Sequence, residues 1–234
     1  MTLDFTITQG IENRLSAWNK HAKNQNQAKK KSSPCVTLSR EFGCQGYAAA
    51  AALEKRLNIG KSEEEKWITL DRKLLEKIAE DSGFSKQDVQ NIGDVHPIWQ
   101  ATLNMFAGKH SAEPYEVFSY LKKAVRYFAK TGNCIIVGRA GGIITQDLKN
   151  CIHIRLVAPL EYRIKYTMEA FNLSETESRK LIASSQKQRD AFVHNFTNVY
   201  QNTTTLYHLV INNEKHSPEQ IAEIIENEIK WYRP

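Results

Sequence analysis

Between Val36 and Leu53 the chain reads V-T-L-S-R-E-F-G-C-Q-G-Y-A-A-A-A-A-L, a strand, a glycine-bearing loop and a small-residue helix in immediate succession. Val36 to Leu38 suit a short buried strand. Arg40 to Gly46 are expected to leave it, and Ala48 to Arg56 are strong helix formers. A tight loop at that junction aims backbone N–H groups and the positive end of a helix dipole at one spot, and such a spot suits phosphate. The pattern G-x-x-x-x-G-K-[ST] does not fit the loop. Laid without gaps, its first Gly falls on Arg40, its second on Gln45 and its Lys on Gly46. A plain strand-to-helix turn therefore stays open beside the phosphate reading.

From Cys35 onward, apolar strands alternate with helical stretches. The strands are expected at Cys35–Leu38, Trp67–Leu70, Cys134–Val137, Cys151–Val157 and Leu206–Ile211. Such alternation argues for an α/β fold with a parallel sheet covered on both faces. Residues 83–131 hold almost no strand pattern. A short helix after Ser85 (S-K-Q-D), a variable piece around His96-Pro97-Trp99 and a long helix from Ala112 to Lys130 are expected there, as a substrate-binding insertion. Asn172 to Tyr200 reads as two helical segments, the first opened by a capping box at Ser174-Glu175-Thr176-Glu177.

Of 234 residues, 41% are hydrophobic and 25% charged, as in a soluble globular protein, and no apolar run approaches a membrane span. Met1 to Gly10 lacks a basic start and an apolar stretch, so a cytoplasmic location without a signal peptide is expected. Residues 1–33 carry six basic and two acidic side chains, +4 of the net +6, which leaves +2 for the rest. The charge thus describes an N-terminal arm, with a helix over Ile11–Ala28 and a K-K-K-S-S-P linker, rather than a nucleic-acid-binding face. That helix is read as docked or frayed, with contact to an acidic partner or nucleic acid as the sharper alternative. The four cysteines form no C-x-x-C pair. Cys35, Cys134 and Cys151 open apolar runs and read as buried thiols. Cys44 lies in the loop, where a helix N-terminus can lower a thiol's pKa.

S-R-E-F-G-C-Q-G at 39–46 resembles the S-R-E-F-G-S-G-G loop of the cytidylate kinase-like family, a branch of the P-loop nucleoside monophosphate kinases. Further segments follow in order. L-D-R-K-L-L-E-K-I-A (70–79) is similar to the family's Y-D-K-E-L-I-E-x-I-A, and N-C-I-I-V-G-R-A (133–140) to its N-C-V-I-V-G-R-G/A. I-R-L-V-A-P-L-E-Y-R (154–163), N-L-S-E (172–175) and L-V-I-N (209–212) resemble its lid-helix start, lid segment and last strand. The resemblance implies a P-loop NTPase three-layer fold and a five-stranded parallel sheet in the order 2-3-1-4-5. Behind the charge-defined arm over 1–33, it implies a kinase domain over 34–234, with a monophosphate-binding insertion over 83–131 and a lid over 172–203. It also implies ATP and Mg²⁺ as cofactors and a nucleotide substrate, with no membrane partner and a homo-oligomer left open.

Under the same resemblance, Ser39, Gly43, Cys44, Gln45, Gly46 and Tyr47 line the ATP phosphates, with Gly46 the foremost contact. Arg40, Arg163 and Arg189 face the transferred phosphoryl group, beside Lys165 as a further lid cation. Asp71, Gly138 and Arg139 form the acceptor pocket, and Glu41 approaches the metal through water. Other roles stay open: Arg40 and Glu41 as an ion pair across the turn, Asp71 as a helix cap, and Arg139 as a solvated helix-start residue. Tyr115, Phe118, Tyr127 and Phe128 read as core of the insertion, or one of them as a stack for the acceptor base. His153 and His208 read as structural. The chain departs from the family at Tyr47, Gln186, Gln188, Phe192 and Phe196, each of which replaces a charged or hydroxyl side chain. Those departures support the alternative, a kinase fold that binds nucleotide without transferring phosphate.

Overall fold

The computed structural model describes residues 9–23, 33–85, 114–200 and 202–232. Five strands form one all-parallel sheet: β1 (Cys35–Arg40), β2 (Ile68–Leu70), β3 (Cys134–Val137), β4 (Cys151–Val157) and β5 (Leu209–Asn212), in the order β2-β3-β1-β4-β5. This is the expected order, and it makes β1 the central strand. Before β1 lies α1 (Gln9–Lys23), and between the strands lie α2 (Gly46–Leu57), α3 (Arg72–Glu80), α4 (Pro114–Thr131), α5 (Gly141–Ile144), α6 (Leu160–Phe171) and α7 (Glu175–Thr197). A short 3₁₀ turn over Thr204–Leu206 precedes β5, and α8 (Pro218–Trp231) follows it.

Alternation along the strands divides the core in two. Val36, Leu38, Ile135, Val137, Ile152, Ile154 and Leu156 face α2 and α8, where Ala49, Ala50, Leu53, Ile221, Ala222 and Ile225 meet them. The alanines let α2 lie close to the sheet. Cys35, Cys134, Ile136 and Cys151 face the other way, toward α1, α3, α4 and the end of α7. Register places Cys35 beside both Cys134 and Cys151, so the three buried thiols stand in a row, with the Sγ atoms of Cys35 and Cys134 3.4 Å apart. The buried positions Val117, Phe118, Leu121, Ala124, Val125 and Phe128 recur at helical spacing along α4. Tyr115, expected in that core, is 72% exposed, because it opens α4 on the solvent side.

The other differences from the sequence reading have local causes. β1 continues through Arg40, because β4 extends beside it and pairs Ser39 with Arg155 and Arg40 with Leu156. The last strand starts at Leu209, since Thr204–Leu206 turns before it. Asn172 to Tyr200 carries one helix, α7, which Ser174 opens with its capping box. The helix expected after Ser85 and the stretch around His96-Pro97-Trp99 lie outside the described residues.

The docked reading of α1 is the one the structure shows. Ile11, Leu15 and Trp18 are buried, and the Trp18 indole N–H donates to the Tyr120 hydroxyl at 3.0 Å. The Arg14 guanidinium donates to the carbonyls of Gly132, Asn133 and Lys66 at 2.9–3.1 Å, which satisfies the amino ends of β2 and β3.

On the thiol-bearing face, the Thr37 hydroxyl meets His153 Nδ1 at 2.8 Å, and the His153 backbone N–H donates to His208 Nδ1 at 3.0 Å. Burial, and secondly the neighbouring His208, push His153 down to about 4. Its neutral form is therefore the folded form. The stability this contributes is full above pH 6.5 and is lost as the pH falls toward 4. Urea unfolding at pH 7 and pH 4 is expected to show a loss on the order of 3 kcal/mol from this group. His153→Gln should show a correspondingly smaller difference between the two pH values.

Candidate functional site

The site forms where β1 and β3 end and α2 begins. Parallel strands deliver the end of β1 and the turn after β3 to one edge, the edge where open α/β sheets take ligands. α2 starts there without a side-chain cap, whereas Asp71, Ser174 and Ser217 cap α3, α7 and α8. The first-turn N–H groups of α2 are thus left for a ligand or solvent.

The preceding loop is held from four sides. Glu41 N–H donates to the Leu156 carbonyl at 3.1 Å, and Phe42 N–H to Gln186 Oε1 at 2.9 Å. Cys44 N–H donates to the Glu41 carbonyl at 3.2 Å, and Gln45 N–H to Asn213 Oδ1 at 2.6 Å. Gln45 also donates through its side chain to the Tyr162 hydroxyl at 3.1 Å. Gly43 has φ +89°, and a Cβ there would stand 2.7 Å from Arg163 Cβ, so only glycine lets the loop rest on that arginine.

Arginines ring the loop. Arg40 is buried, and it donates to the Tyr47 hydroxyl at 3.2 Å while lying over its ring at 5.1 Å. Its guanidinium runs against Gly138, where a Cβ would come within 2.2 Å of Nη1. Arg189 donates to the Arg40 carbonyl at 3.4 Å and lies 5.0 Å over the Phe42 ring. Arg139 is buried, ion-paired to Glu76 at 3.1 Å and 5.6 Å over the Phe192 ring, so the solvated reading of it does not hold. Ser39, Arg40, Gly138, Arg139, Arg189 and Phe192 line a narrow cleft of about 20 Å³. A larger hollow of about 740 Å³ lies along α6 and α7, bordered by Leu160, Arg163, Ile182, Gln186, His194 and Tyr200.

Other expected residues take different places. Arg163 turns to the loop itself, donating to the Ala158 and Phe42 carbonyls at 3.0 and 3.4 Å and standing 3.6 Å from Glu41. The ion pair of Glu41 is therefore with Arg163 rather than Arg40. The same Glu41 oxygen accepts from Ala158 N–H at 3.1 Å, tying the start of α6 to the loop. Asp71 caps α3, accepting from Leu74 N–H at 2.9 Å. Gly46 opens α2 against the Arg40 stem, and Tyr47 is 39% exposed beside it. Lys165 is exposed on α6.

Gln186, Asn213 and Tyr162, which hold the loop, were not visible as site residues in the sequence. Gln186 stood out only as a lost acid. Phe192 and Phe196 close an aromatic group with Phe118, their centroids 5.8 and 4.4 Å from it, which accounts for the missing hydroxyls.

The sequence model of the cytidylate kinase-like family matches residues 35–215. A cytidylate kinase of Pyrococcus horikoshii is 25% identical over 163 residues, which cover 69% of this chain and 73% of that protein. A crystal structure of an uncharacterized protein from Eubacterium ventriosum superposes with a TM-score of 0.63 at 17% identity, over 85% of this chain and 98% of the other. That likeness confirms the fold.

Cys44 is corrected in direction. Burial, and secondly the Glu41 carboxylate, push its thiol up to about 12, against the pull of Arg163, Arg189 and Arg155. The other three cysteines are buried. At pH 8, alkylation of the native protein by iodoacetamide is expected to be about a thousandfold slower than that of an ordinary thiol, through the smaller thiolate fraction. Mass spectrometry over time reads this rate, and rapid labelling of Cys44 at pH 8 would refute the burial argument.

Proposed function

The chain belongs to the cytidylate kinase-like family, and on that premise we propose that it transfers the γ-phosphoryl group of ATP to a pyrimidine nucleoside monophosphate or a related small acceptor. The observation that carries the reading is the uncapped start of α2 at the carboxyl end of the central strand, with the Arg40, Arg139 and Arg189 guanidiniums converging beside it. Phosphoryl transfer needs positioned oxygens and neutralised charge rather than a covalent step.

In this reading the ATP phosphates lie on the N–H groups of Gly43, Gly46 and Tyr47, with Ser39, Cys44 and Gln45 shaping the loop. Arg40 and Arg189 neutralise the moving phosphoryl group, and Arg163 keeps the loop and α6 in register with them. Arg139 and Gly138 hold the acceptor phosphate, and Asp71 lies at the acceptor end of β2. Residues 83–131 form the acceptor-binding region and 172–203 the lid. Mg²⁺ keeps several waters and needs only one or two carboxylates beside the phosphates. Glu41, at the loop and bonded through one oxygen to Ala158 N–H and Arg163, fits that water-mediated place. Bound there, the ion would neutralise the β and γ oxygens. No helix of the described residues is long and apolar enough to cross a membrane.

A nucleotide-binding module without transfer is the second reading. Its support is that Tyr47 holds Arg40 and Glu41 holds Arg163, so two cations already have partners in the protein.

A coupled ADP-release assay with ATP and Mg²⁺ against a panel of monophosphates separates the two. Turnover with one acceptor is expected, and Arg139→Ala should lower it on the order of a hundredfold or more while the protein stays folded. Heat stabilisation by ATP with no turnover across the panel would replace the kinase reading with the binding one.

A further inference from the structure

We propose that Arg155 is an anion ligand, which binds a phosphoryl oxygen of the nucleotide from the β4 side of the β1–α2 loop. The identity of the anion rests on the kinase reading above; the site itself rests on the side chain's surroundings. Arg155 lies in the carboxyl half of β4, in register with Ser39 of β1, whose side chain borders the arginine-lined cleft. It is only 5% exposed, and its Nη1 is buried with no hydrogen-bond partner.

Among the described residues it makes no ion pair and no hydrogen bond. Its guanidinium carbon lies 5.6 Å over the Tyr207 ring. Other arginines of this fold have oxygens to face: Arg14 three carbonyls, Arg126 the Asp147 carboxylate, Arg139 Glu76, and Arg163 Glu41.

An unpaired buried guanidinium is costly, and a single aromatic face offsets little of that cost. A ligand that brings its own negative charge removes the penalty on arrival. The position selects the ligand class. Arg155 acts on Cys44 in the loop together with Arg163 and Arg189, so it belongs to the same positive field. The carboxylates bonded in that field, Glu41 and Glu76, are taken by Arg163 and Arg139. A guanidinium presents a planar fork that matches phosphoryl oxygens, and the first-turn N–H groups of α2 lie at the end of the next strand. Arg155 approaches from behind Ser39, which borders the cleft of about 20 Å³ between Arg40, Arg139 and Arg189.

Thermal melting of the full chain, with inorganic phosphate, CMP or ATP titrated in, tests this on wild type, Arg155→Met and Arg155→Lys. Without anion, Arg155→Met is expected to melt at or above wild type, because an uncompensated charge has gone. Its affinity for at least one of the three anions should fall tenfold or more. Arg155→Lys, which keeps the charge and loses the fork, should fall in the same direction and covers the case in which the Met variant does not fold. Cytidine, which has no phosphate, should respond equally in all three proteins. Unchanged anion affinities in both variants would overturn the proposal and leave Arg155 as packing for Tyr207. The two readings fail separately. Arg155-dependent anion binding without turnover removes the kinase and keeps this site, whereas full turnover and full affinity in Arg155→Met removes this site and keeps the kinase.

Discussion

Guanidinium groups buried at the carboxyl edge of a parallel sheet need oxygen atoms to face, and the organisation around β1 follows from where those oxygens come from. Arg163 takes one carboxylate and two carbonyls, and in doing so fastens α6 to the loop. Arg189 takes the carbonyl at the end of β1, which brings α7 down over the edge. Arg139 takes Glu76 of α3 and so draws β3 and α3 together. Each pairing is a local electrostatic need, yet each joins segments far apart in sequence.

The two faces of the sheet serve different ends. The α2 and α8 face is almost wholly apolar, and its alanines bring a helix start close to the strand that precedes it. The other face is polar along its middle, with Thr37, His153 and Arg155 buried beside the thiol row. Such groups lower the transfer free energy of that face, and they remain only where hydrogen bonds or ligands compensate. Thr37 and His153 compensate each other.

Much of the architecture was legible from pattern alone. Apolar runs of four to seven residues between helical stretches marked all five strands, and S-E-T-E marked the start of α7, because strand burial and capping are local matters. Long-range placement was not local. Arg155 reads in sequence as a polar residue inside a largely apolar strand, and only the packing of Tyr207 and β1 around it shows that it is buried with no oxygen partner among the described residues. Gln186 looked like a lost charge, but its carbonyl oxygen meets the Phe42 N–H, an acceptor role in which a neutral amide serves. The polar composition of α1 suggested an arm, while three apolar side chains on one face and a single arginine dock it. The thiol of Cys44 was expected to respond to the helix dipole, and burial outweighed that effect.

After β3 the backbone makes an unusual turn. Gly138, Arg139 and Ala140 all have left-handed torsions, with φ of +76°, +52° and +55°. Two of these residues carry a Cβ, and each costs on the order of 1 kcal/mol in that conformation. The cost falls on folding, before any ligand arrives. In return, the Arg139 side chain is aimed in advance, and less rotational freedom remains to be lost when a ligand is captured. Preorganisation of this kind favours slow release over fast capture, and it makes the three-residue turn a place where substitutions alter residence time before they alter the fold.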